Sequence, residues 1–127
     1  MTQNEKDLLL KDLCARLPYG VMAKFGDSNP SKITNITQCI DSDSNSWFVE
    51  SDGESDGMIC PINNVKPYLF PLSSMTEEQR KEYHELLYNP ENGINIDYFD
   101  WCHKNRLDYR HLIPMGLAID ATNLNIY

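Results

Sequence analysis

No stretch of this chain approaches the roughly 18 consecutive apolar residues that cross a bilayer, so a membrane partner is not expected. The opening Met-Thr-Gln-Asn-Glu-Lys-Asp lacks the basic and apolar regions of a secretory leader, and the chain reads as cytoplasmic. Basic residues are scarce, 11 against 19 acids, and they form no run. The resulting net charge of −8 repels a phosphate backbone and disfavours direct nucleic-acid binding. There is no glycine-rich phosphate loop and no paired Cys or His spacing of the kind that announces a metal site. Cys14, Cys39, Cys60 and Cys102 stand far apart beside apolar neighbours, as small hydrophobes do in a reducing compartment. Nor does any nucleophile stand with a base and an oxyanion donor. The expectation is therefore a protein that is not an enzyme and needs no cofactor or metal.

What is present is a foldable chain of 127 residues, 41% hydrophobic and 10% aromatic. That length fits one domain with a modest continuous core, and the apolar content is enough to offset ordering entropy. The charge is unevenly placed. Residues 27–62 carry seven acids and one base, and within them the tandem Glu-Ser-Asp-Gly repeats of 50–57 mark hairpin turns.

Along the chain, residues 4–17 place Leu9, Leu10, Leu13, Cys14 and Leu17 on one helical stripe, with Lys11, Asp12 and Arg16 elsewhere on the circumference. Pro18 and Gly20 end that helix. Short β-rich runs follow at 19–25, 33–40, 46–51 and 57–62, with 66–70 as a last strand between Pro67 and Pro71. Four or five strands in so short a span suit a small, strongly bent barrel rather than a sandwich. The expected class is α+β: an N-terminal helix (1–18), an SH3-like antiparallel β-barrel (19–72) and a helical C-terminal region (73–127), packed as a single domain. In the last region Thr76 and Gln79 form a capping box, Tyr83, Leu86 and Leu87 give a narrow apolar face, and a further helix over 96–105 presents Ile96, Phe99, Cys102 and Trp101. Residues 117–127 return as a strand or extended tail.

Three strings, Asp7-Leu-Leu-Leu-Lys-Asp-Leu-Cys-Ala-Arg-Leu-Pro-Tyr-Gly-Val21, Val65-Lys-Pro-Tyr-Leu-Phe-Pro-Leu-Ser-Ser-Met-Thr-Glu-Glu-Gln79 and Asp108-Tyr-Arg-His-Leu-Ile-Pro-Met-Gly-Leu-Ala118, resemble a family of small proteins of unassigned activity encoded by gut anaerobes, their mobile elements and phages. The resemblance covers nearly the whole chain. It departs at His111 and Pro114, where many members carry Gly and Glu. It implies an accessory gene linked to phage or mobile-element biology, and it brings no catalytic residue.

Four constellations invite chemistry. Asp41, Asp43, Asn45 and Asp52 fall at positions 1, 3, 5 and 12 of an EF-hand loop, with the Trp47 carbonyl at 7. However, Ser46 replaces the turn glycine, Asp52 is short for a bidentate Glu, and the flanks read as strands. Cys102 and His103 are adjacent, but neighbours on a helix point about 100° apart, so a core cysteine beside a surface histidine is expected. Glu77, Glu78, Glu82 and Glu85 interleave with Arg80 and Lys81 as an ordinary solvated face. Finally Trp47, Tyr68 and Trp101 offer an aromatic groove for a peptide or base, with Asp52 and Asp56 as acidic companions, and these five residues form the expected interaction surface. The reading is a non-enzymatic binding protein whose partner is another protein. Its rivals are an acidic mimic of nucleic acid that occupies a host defence or DNA-binding protein, and a binder of a nucleotide signal.

Overall fold

A computed structural model of the chain describes residues 1–41, 44–52, 59–88 and 96–127. Helix α1 (Gln3–Arg16) begins where Thr2 Oγ1 accepts the Glu5 amide at 3.1 Å and Glu5 Oε1 accepts the Thr2 amide at 3.1 Å, a reciprocal cap. Pro18 lies in the 3₁₀ turn Leu17–Tyr19 that follows, and Gly20 turns the chain at φ 78°, a region that favours glycine.

The strands come next: β1 (Met22–Phe25), β2 (Ser31–Asp41), β3 (Ser44–Ser51), β4 (Ile59–Pro61) and, after the 3₁₀ turn Ile62–Asn64, β5 (Val65–Leu69). Helices α2 (Glu77–Tyr88) and α3 (Ile96–Lys104) precede a two-residue β6 (Ile119–Asp120). Thr76 and Gln79 cap α2 as their spacing implies, with Gln79 N to Thr76 Oγ1 at 3.2 Å and Thr76 N to Gln79 Oε1 at 3.0 Å. Sheet order is β4-β3-β2-β1-β5-β6, antiparallel except for the parallel β5–β6 pair.

The sheet is open, which corrects the expectation of a closed barrel. Among the described residues β4 pairs with β3 alone and β6 with β5 alone. The edge of β5 that a closing strand would need is occupied from the C-terminal side, by β6 and by a parallel bridge between Phe70 and Leu107. Strands β2 and β3 also speak against the calcium reading, because an EF-hand loop over 41–52 needs a helix before it and an irregular loop within, and here β2 runs up to Asp41 and the paired strand β3 occupies 44–51. Asp43, Glu54 and Asp56 lie outside the described residues.

The core gathers Leu9 and Leu13 of α1 with Ala23, Phe25, Ile33, Val49, Val65 and Leu69 of the sheet, closed by Leu112 and Leu117. Along β1 the burial alternates, Ala23 and Phe25 inward and Met22 and Lys24 outward, as a pleated strand requires. Helix α1 departs from the expected stripe. Its buried residues are Leu9, Asp12, Leu13 and Arg16, while Cys14 is exposed. Spacings of three and four place Asp12 and Arg16 on the face of Leu9 and Leu13, where they lie buried as a pair. Among the described residues no helix is long and apolar enough to cross a membrane.

Candidate functional site

Trp47 sits on β3 and half-buries its indole against the core. Beside it a hollow of about 460 Å³ opens between the first turns of α1 and the corner after β4, with Trp47, Pro61 and Ile62 as its apolar lining and Lys6, Asp7 and Asn63 among its polar residues. The local chain explains the shape. Pro61, at φ −60°, leads into the 3₁₀ turn that buries Ile62, and the capped start of α1 holds Gln3 against Asp7 through an Nε2 to Oδ1 bond of 2.9 Å.

A second concentration of polar groups lies where α1 meets α3 and the turn after it. Arg16 Nε donates to Asp12 Oδ2 at 2.7 Å and Nη2 to the Leu107 carbonyl at 2.7 Å. Arg110 Nε reaches the other Asp12 oxygen at 3.2 Å. Both guanidinium groups approach the Tyr109 ring, at 5.4 and 5.0 Å from its centroid, and Tyr109 shares a 2.6 Å hydrogen bond with His103 Nε2. Arg16 Nη1 is buried without a hydrogen bond among the described residues. His103 is therefore not the surface histidine expected. Only 7% exposed, it has its pKa lowered by burial and by the nearby Arg16 charge, which favours the neutral ring. This knot fastens α1 to the C-terminal segment, and its carboxylate is already held by two guanidinium groups.

The other expected surface residues do not join Trp47. Tyr68 on β5 is 7% exposed, and its carbonyl accepts the Tyr127 hydroxyl at 2.7 Å, so it is a packing residue and not part of an open groove. Trp101 belongs to an aromatic cluster between α2 and α3. Its Nε1 donates to Glu82 Oε2 at 2.7 Å and its ring lies 6.2 Å from that of Tyr83. Asp52 is exposed but exchanges backbone and side-chain bonds with Lys32, each 3.2 Å, which extends the β2–β3 pairing by one step. Phe99, expected on the core face of α3, is 40% exposed, and the inward residue is Cys102, 0% exposed.

No family model, curated protein or solved structure matches this chain. Among the described residues no three His, Cys, Asp or Glu side chains converge to hold a metal ion. Burial pushes the Cys102 thiol up to about 11, so little thiolate forms at neutral pH. Native-state alkylation is expected to modify exposed Cys14 rapidly and to leave Cys102 untouched until denaturant is added. Rapid labelling of Cys102 in the folded protein, located by peptide mass spectrometry, would overturn the inert assignment.

Proposed function

We propose that this chain is a non-enzymatic binding module that takes an extended segment of another protein into the hollow beside Trp47. The observation that carries the reading is that hollow: a half-buried indole flanked by Pro61 and Ile62, with polar groups around it. Extended peptides dock in aromatic-lined grooves of this kind, and specific ligand sites fall in the range of roughly 300–1,000 Å³. The strand order supports the same reading. A run of five strands ordered β4-β3-β2-β1-β5, with a 3₁₀ turn before the last, is the connectivity of SH3-like folds, and we read this sheet as an opened SH3-like barrel with α1 laid across it. The setting in phage or mobile-element biology rests on the resemblance of the three sequence strings alone.

Peptide display on the immobilised protein tests the reading. Wild type is expected to enrich short extended peptides with apolar anchors, and Trp47→Ala to weaken the selected peptides by about tenfold or more, as removal of a central aromatic does. Trp47→Phe, which keeps most of the packing, is expected to fold normally and retain part of the affinity. Selection of no peptide by wild type, or of the same peptides at equal affinity by Trp47→Ala, would reject the groove.

A further inference from the structure

We infer that the outer face of β2, β1 and β5 is a second binding surface, one that takes an acidic segment of a partner protein. Register creates it. Met22 pairs with Lys32 and Lys24 with Lys66, and because Ala23 and Phe25 point into the core, Lys24, Lys32 and Lys66 all lie on the outer face. These lysines are distant in sequence, so no basic run announces them.

Like charges directly opposite each other across a strand pair destabilise a sheet. Lys24 and Lys66 stand in that arrangement, and among the described residues neither side chain has an ion pair or a hydrogen bond. The Lys32 side chain passes Gly20, its Cε 3.5 Å and its Nζ 3.9 Å from where a side chain there would begin, and the Gly20 carbonyl accepts Arg106 Nε at 3.1 Å. Arg106 is held in place by Tyr127, its guanidinium 4.1 Å from the ring centroid. Three of the chain's 11 bases thus share one face of a protein whose net charge is −8.

The shape selects the occupant. A hollow of about 530 Å³ adjoins Lys24 and Lys66, with Gly26, Asn63 and Asn64 in its lining and open space where a side chain on Gly26 would sit. Asp27 also lines it. A segment spanning from Lys66 across β1 to Lys32 covers two inter-strand steps and, because Lys32 faces Met22 and not Lys24, a two-residue offset, about 12 Å in all, which is the reach of about four extended residues. Spaced carboxylates on such a segment meet the lysines in turn, and Met22 between them gives its backbone an apolar contact. Nucleic acid fits less well, because its dense phosphates are repelled by the acidic remainder of the chain.

The test uses the full chain and a short labelled peptide of alternating Asp and Thr, followed by fluorescence anisotropy. Wild type is expected to bind it at low ionic strength and to lose about fivefold or more in affinity at roughly 0.2 M salt. Lys24→Gln with Lys66→Gln is expected to lose about tenfold while melting no lower than wild type, since the cross-strand repulsion is relieved. Lys11→Gln with Lys81→Gln, the same charge removed from exposed helical positions, is expected to change affinity less than about twofold. Trp47→Ala is expected to bind the acidic peptide as wild type does, which separates this surface from the Trp47 groove. Failure of wild type to bind the peptide at low salt, undiminished binding by Lys24→Gln with Lys66→Gln, or tighter binding of a single-stranded oligouridylate of equal charge would each overturn the inference.

Discussion

Asp12→Ala is expected to lose about 3–5 kcal/mol of stability, whereas Asp12→Leu combined with Arg16→Met is expected to fold at least as well as wild type. The single change leaves the Arg16 guanidinium charged, 1% exposed and stripped of its carboxylate. Removing one partner of a buried pair costs about 3–5 kcal/mol, against a total stability of about 5–15 kcal/mol for a domain. The double change removes both charges. It also removes Arg16 Nη1, which is buried without a hydrogen bond, so an apolar pair recovers a desolvation cost that the native pair never fully offsets. Arg110 loses its bond to Asp12, but its side chain is 22% exposed and reaches water. Urea unfolding followed by circular dichroism measures all three proteins. A loss below about 1 kcal/mol in Asp12→Ala would show that the knot contributes no more than an exposed salt bridge.

Asp108→Ala is expected to lower stability by about 2–4 kcal/mol, because two backbone donors lose their acceptor together. Asp108, 3% exposed, accepts the Leu112 amide at 2.8 Å on one oxygen and the Ile113 amide at 2.9 Å on the other. Leu112 is a fully buried core residue, so its orphaned N–H has no route to water. Asp108→Asn keeps one acceptor oxygen and is expected to lose about half as much. The melting temperature should fall by roughly 10 °C in the alanine variant. Native-state hydrogen exchange should show the loss first at the amides of Leu112 and Ile113. Equal melting of Asp108→Ala and wild type would show that these bonds add nothing to stability.

Local signals in the sequence located most elements because each depends on nearby residues. The Thr76 and Gln79 cap, the Pro18 and Gly20 stop and the β-rich runs all describe short-range physics, and the structure places helices and strands there. The misreadings have one cause. Residue type sets Asp12 and Arg16 apart from the apolar stripe, yet they share the face of Leu9 and Leu13, and burial becomes tolerable only because Leu107 and Arg110 come from the far end of the chain. His103 was misplaced for the same reason, since its partner Tyr109 lies beyond the helix end. Trp47, Tyr68 and Trp101 were grouped by chemistry alone, and the sheet register sent Tyr68 under Tyr127 and left Trp101 with α2. The outer lysine face could not be read at all before Lys24 was known to pair with Lys66.

The knot that ties α1 to the C-terminal turn also sets an order of events. Asp12 and Arg110 are 98 residues apart, and Arg16 and Leu107 are 91 apart. Contacts of such sequence separation form late, and a chain is synthesised from its N-terminus at about 5–20 residues per second. For several seconds of synthesis the α1 segment therefore lacks the residues that neutralise and cover its inner face. Until then Asp12 and Arg16 stay hydrated, so the cost of burying the pair falls on the last stage of folding, when the C-terminal turn docks.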